Sequence, residues 1–199
     1  MVGIFGRGRL AESLSHGVSG LGHAVADVST EAIMPVTRLG RLIAQMRPEL
    51  LRFSPNWRCQ LNLLELVVST TPDLVLVVKA PYLQAEVIDR MRRRTKARIL
   101  NWLPDDPLLG LRPAVPLSAL RRYDRVIVYS PAMATRVRDQ LGLDVQCIPF
   151  GFDPRYYFPA AGPRSAASDV AFVGQYRLER GALLMRLLEA GFSMRIGGP

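Results

Sequence analysis

The stretch that decides the fold runs from "PDLVLVVKA" (residues 72–80) through "AEVIDRMRRRTK" (85–96) to "ARILNWL" (97–103). Two short aliphatic runs rich in Val, Ile and Leu flank a segment whose apolar residues recur about every four positions. The runs suit strands buried on both faces, and the segment between them suits a helix crossing from one strand to the next. The same alternation continues outward. "DRVIVYS" (124–130), "AMATRVRDQLGL" (132–143) and "VQCIPF" (145–150) repeat it, with Met133, Val137 and Leu141 at helical spacing. Upstream, "MVGIF", "LAESLSHGVSGL" and "HAVADVS" (23–29) read as strand, helix and strand. The fold class expected is α/β, a Rossmann-like parallel sheet with helices on both faces.

The chain has 199 residues, 49% of them hydrophobic, enough to bury a full domain core. A net charge of +9 favours anionic partners: nucleotide phosphates, nucleic acid or acidic lipid. Cys59 and Cys147 are far apart and form neither a disulfide framework nor a metal knuckle, so a reducing cytoplasm is the expected location. The longest aliphatic run, Leu74 to Val78, is far shorter than the roughly 20 residues that span a bilayer, and no secretion signal is visible.

Residues 31–59, interrupted by Pro35, Pro48 and Pro55, read only as helix plus loop. Residues 1–155 read as the first domain. Residues 156–168 look like an interdomain linker, with prolines and small residues in "GFDPRYYFPAAGPRSAAS" (151–168). Residues 169–199 read as strand, loop, helix and strand, the beginning of a second and truncated Rossmann-like unit.

The opening "VGIFGRGRLAES" (2–13) places Gly6, Gly8 and Ala11 in the G-x-G-x-x-A spacing of a dinucleotide-binding turn. Asp27, near the end of the second strand, sits where a ribose-binding acid belongs. An NAD(P)-dependent oxidoreductase is therefore one reading. Against it, no hydride-transfer acid/base is evident. His16 lies within the first helix, and His23 follows a glycine turn as a strand entry.

The rival reading begins at "NWLPDDP" (101–107), which puts two adjacent carboxylates just past a buried strand, at the edge where open α/β sheets bind ligands. Taken in order, "PDLVLVVKA", "NWLPDDP", "GFDP" (151–154) with "FP" (158–159), and "DVAFVG" (169–174) with "ERG" (179–181) resemble the spore-maturation-type glycosyltransferases. That group is a branch of the GT-B class related to glycosyltransferase family 4, and the resemblance covers Pro72 to Pro199. It implies two Rossmann-like domains facing a cleft, with acceptor held mainly by the first and nucleotide-sugar donor mainly by the second. It implies no bound metal and no cofactor besides the donor, so cations and helix dipoles must stabilise the departing diphosphate.

On that reading Gly174, Arg177, Arg180 and Gly181 form the donor-side phosphate loop, with Arg180-Gly181 where family 4 relatives carry Lys-Gly. Gln175 departs from the Arg common in those relatives. Asp105 and Asp106 are the catalytic candidates, one expected to be functional and the other a turn or cap residue. Gly6, Arg7, Gly8 and Lys79 would line the acceptor side. The E-x7-E pair of retaining relatives would fall beyond Pro199, which leaves stereochemistry open, as are sugar, acceptor and the activity of this chain alone. A non-catalytic GT-B-like binding module is the third reading. The basic run "DRMRRRTKAR" (89–98) is either a solvated helix face or a patch for an acidic membrane surface. It lacks the interleaved aromatics of a nucleic-acid site, so no nucleic-acid partner is expected.

Overall fold

The first strand, the two residues after Met1, is so short that its neighbours carry most of the sheet. In the computed structural model, which describes residues 1–31, 37, 55–108, 116–159 and 168–198, six strands form one parallel sheet. They are β1 (Val2–Gly3), β2 (Val28–Ser29), β3 (Leu74–Val78), β4 (Arg98–Leu103), β5 (Arg125–Val128) and β6 (Val145–Cys147), in the order β2-β1-β3-β4-β5-β6. The helices between them are α1 (Leu10–Gly20), α2 (Pro55–Thr70), α3 (Ala85–Arg94), α4 (Leu117–Leu120) and α5 (Pro131–Leu141). The protein is thus α/β with a Rossmann-like sheet flanked by helices. Pro35, Pro48 and residues 160–167 of the expected linker lie outside the described residues.

The chain divides into two compact units, Met1–Tyr156 and Tyr157–Pro199. The second holds β7 (Val170–Val173), α6 (Leu178–Glu189) and β8 (Met194–Gly197), with β7 and β8 paired in parallel.

Strand order reverses between β1 and β3. Right-handed crossovers then send α1 to one face and α2, α3 and α5 to the other. The core draws on the aliphatic runs quoted above: Val75 and Val77 of β3, Ile99 of β4, Val126 and Val128 of β5, packed with Leu64 of α2, Ile88 and Met91 of α3, and Val137 of α5. Burying a side chain as fully as Met91 stabilises the fold by roughly 1.5–3 kcal/mol.

Local chemistry fixes the element ends. Ser130 caps α5 by accepting from the Met133 amide at 3.2 Å, Pro131 supplies the preset first turn, and Gly142 closes the helix at φ 63°. Against β1, α1 packs so closely that a Cβ on Gly3 would lie 2.7 Å from the Ala11 Cβ and 3.2 Å from that of Val78. The small third residue of the glycine motif therefore serves helix-to-strand contact.

Two local expectations need correction. The strand expected over 23–29 shrinks to Val28–Ser29, because among the described residues β2 pairs with β1 alone, and β1 is two residues long. Its ladder is limited to bonds such as Val28 N–H to the Met1 carbonyl and Thr30 N–H to the Gly3 carbonyl, both 2.8 Å. Pro55 does not interrupt the described helix: α2 runs from it through Thr70.

Candidate functional site

The order reversal at β1 and β3 opens a crevice at the carboxyl ends of the strands, where loops splay apart. The segments leaving that edge carry Gly6, Arg7 and Gly8 after β1, Lys79 after β3, Asp105 and Asp106 after β4, and Tyr129 after β5.

Lys79 and Ala80 both have positive φ, 62° and 46°, a conformation that costs a residue with a Cβ on the order of 1–3 kcal/mol. The Ala80 amide donates to the Val78 carbonyl at 2.9 Å, closing a three-residue turn, while the Lys79 amide still pairs with the Trp102 carbonyl at 2.9 Å. The turn swings the Lys79 ammonium across to β4, where it forms an ion pair with Asp105. Both side chains stay accessible, Lys79 at 38% and Asp105 at 56% exposure.

Asp106 differs. Its side chain is 2% exposed, one oxygen accepts from the Leu108 amide at 2.9 Å, and the other is paired with Arg136 of α5. The two neighbouring carboxylates thus diverge, one fixing a turn and a helix, the other presented to solvent beside a lysine.

At the β1–α1 loop, Gly6 and Gly8 have φ of 138° and 75°, and the Arg9 amide donates back to the Gly6 carbonyl at 2.9 Å. The loop is not an empty anion cradle. Glu12 occupies the first turn of α1, where its charge already complements the helix dipole, and it accepts from the Tyr156 hydroxyl at 2.7 Å. The Tyr156 ring lies under both the Arg7 guanidinium, 5.7 Å from its centroid, and that of Arg155, at 5.2 Å. Hydrogen bonds from Arg155 and Ser13 hold the Asp153 carboxyl well below the ordinary carboxylate range. The bond to Glu12 pushes the Tyr156 phenol up.

Residues 150–156 therefore form a strap. It starts at Phe150, stacked on Tyr129 beyond β5, and ends at Tyr156 above α1.

Asp27 does not lie near the end of the second strand. It precedes β2, at the opposite edge from the glycine loop, and its carboxylate accepts from Ser15 at 2.7 Å. A group there cannot reach a ribose bound at Gly6–Gly8. The acid at the carboxyl end of β2 is Glu31. His16 and His23 are exposed. Among the described residues no group of three or more His, Cys, Asp or Glu is placed to hold a metal ion.

In the second unit, Gly174 follows β7, and its amide donates to the Gly197 carbonyl at 3.0 Å. Arg177 stands in extended backbone just before α6 and caps nothing with its side chain. Arg180, in the first turn, folds back so that its guanidinium donates to the Gln175 carbonyl at 3.1 Å. A Cβ on Gly181 would lie 2.9 Å from the Tyr176 ring, so glycine there lets the ring settle against α6. Gly174, Tyr176, Arg180, Gly181 and Gly198 line one end of a cleft of about 420 Å³, and Phe172, Leu184 and Ile196 line its apolar floor.

The basic run lies at the amino edge of the first sheet, away from the crevice. Arg90 pairs with Glu86, Arg92 with Asp124 and Arg94 with Glu65, so much of its charge is matched within the fold. No helix among the described residues is long and apolar enough to cross a membrane.

No protein-family model matches this chain, and no curated protein matches it significantly. The class the fold defines is an α/β protein with a Rossmann-like parallel sheet. The sequence reading missed Glu12, Tyr156, Arg136 and the Tyr129–Phe150 stack. Of these only the "E" in the first turn of α1 carries a local signal, since acids favour helix N-termini.

Proposed function

We propose that this chain is part of a glycosyltransferase of the GT-B type, with acceptor-side residues in the first unit and donor-side residues opening the second. The observation that carries the reading is the β7–α6 loop. Gly174 and Gly198 keep the backbone bare, and the Arg180 guanidinium lies over the strand end at the start of a helix. Such an arrangement suits the charge that develops on a departing nucleoside diphosphate. In the transfer, an acceptor hydroxyl attacks the anomeric carbon, the bond to the diphosphate breaks with its electron pair, and the hydroxyl proton passes to a base. Asp105, accessible and oriented by Lys79, is the carboxylate we assign to that base. Lys79 is a positioning residue, and Asp106 a structural one.

The glycine geometry of the β1–α1 loop favours a second reading, an NAD(P)-dependent enzyme. Glu12 and the Tyr156 strap at the same helix start weigh against it, since both fill the place a pyrophosphate would take. Calorimetric titration with UDP-, GDP- and ADP-sugars and with NAD(H) separates the two. We expect nucleotide-sugar binding that weakens about tenfold or more in Arg180→Ala, the loss of one charge-assisted contact to phosphate. NAD(H) binding in place of nucleotide-sugar binding overturns the proposal.

A further inference from the structure

The Tyr129–Phe150 stack anchors the start of the strap but takes no part in the proposed transfer. The rings lie 4.8 Å apart at 12°, Tyr129 is packed against the hydrophobic core, and Phe150 above it remains 48% exposed. A large aromatic held flat on a fixed partner, with its outer face open to solvent, is a rigid platform at little entropic cost.

Its neighbours define what it suits. Leu103 of β4 is registered with Val128 of β5, so Pro104 and Tyr129 leave the sheet side by side, one strand spacing or about 5 Å apart. Asp105 follows at once. Val78 of β3 is registered with Trp102, which brings Lys79 alongside on the other flank. Across three adjacent strand ends, within roughly 10 Å, stand the ammonium donor, the carboxylate acceptor and Tyr129, and Phe150, from the segment after β6, is stacked on that tyrosine at 4.8 Å.

We propose that Phe150, seated on Tyr129, is a stacking subsite for a pyranose ring whose hydroxyls are bound by Asp105 and Lys79, so that the acceptor is a carbohydrate. A pyranose presents an apolar face of C–H bonds and a rim of hydroxyls, which matches one aromatic face beside one donor and one acceptor-only group. A lipid chain would need an enclosed apolar groove, and a phosphorylated ligand would meet Asp105. The role as acceptor subsite rests on the glycosyltransferase reading, whereas carbohydrate binding itself does not.

The test is saturation-transfer NMR on the full chain with the methyl glycosides of glucose, galactose, mannose and N-acetylglucosamine, and with adenosine and guanosine as rivals. We expect transfer to at least one glycoside, strongest at the ring protons of one face. Phe150→Ala should weaken it about two- to tenfold, and Phe150→Tyr, which keeps the ring, should restore it. Asp105→Asn should weaken the same glycoside. An unchanged thermal midpoint in Phe150→Ala shows that the loss is local. No transfer from any glycoside, transfer indifferent to Phe150→Ala, or transfer from the nucleosides alone overturns the inference. Nucleotide-sugar binding that still depends on Arg180 would then leave the glycosyltransferase reading standing. Glycoside binding without nucleotide-sugar binding would support the inference and remove that reading.

Discussion

Replacing each of two adjacent aspartates by alanine should separate a structural carboxylate from a presented one. In Asp106→Ala the fold loses two contacts to a buried charged group, the Leu108 amide bond at 2.9 Å and the pair with Arg136. Hydrogen bonds to charged groups each contribute about 1.5–3 kcal/mol net, but two terms reduce the total. The carboxylate no longer has to be held out of water, and Arg136, 45% exposed, rehydrates when its partner goes. The remaining loss is about 2 kcal/mol, a drop of about 4–8 °C in thermal midpoint for a unit of this size. Asp105→Ala removes an exposed pair of the kind that contributes about 0–1 kcal/mol, so its midpoint should fall by less than about 4 °C. Both tryptophans, Trp57 and Trp102, belong to the first unit, so tryptophan emission during heating reports that unit alone. Equal losses in the two variants, or a larger loss for Asp105→Ala, would refute the assignment of roles.

Gly3→Ala places a methyl 2.7 Å from the Ala11 Cβ, so α1 must shift off β1. We expect a loss of about 1–3 kcal/mol in urea unfolding followed by the same emission, and a neutral result would show that the contact can relax. The Asp153 carboxyl is held below its ordinary value by Arg155 first and Ser13 second, so it binds its proton less readily folded than unfolded. Its contribution is therefore complete above the unfolded value near pH 4 and erodes as pH falls toward the folded one. Amide exchange of residues 153–156, corrected for intrinsic rate, should speed up selectively in acid, and Asp153→Asn should remove that dependence. Protection of the strap that is indifferent to pH in the native protein would contradict the argument.

Periodicity exposed the long-range architecture because buried parallel strands must be aliphatic along their whole length. "LVLVV", "RILNWL" and "RVIV" became β3, β4 and β5, and Met133, Val137 and Leu141 became the buried stripe of α5. The helix over Pro55–Thr70 was anticipated only up to residue 59, as helix plus loop, although Leu63, Leu64 and Val67 mark its buried face, because the prolines before it break the helical pattern. The site was legible only as far as its edge. That Asp105 and Asp106 follow a strand is local information, but which of them is buried depends on Arg136, 30 residues away on α5. Asp27 was misplaced because strand length was inferred from composition, whereas β2 can extend only as far as β1 offers partners. No local pattern could announce the positive φ of Lys79, which is not a glycine, or the docking of residue 156 on residue 12.

That last contact has a bearing on how the protein is made. Glu12 leaves the ribosome 144 residues ahead of Tyr156, and at roughly 5–20 residues per second that is a delay of roughly 7–30 s. Throughout it the nascent sheet can assemble strand by strand, yet the start of α1 stays untethered. The clasp at Tyr156 is thus among the last tertiary contacts of the first unit to close during translation. A slowdown of synthesis just beyond residue 156 would give this unit time to seal before the second one emerges.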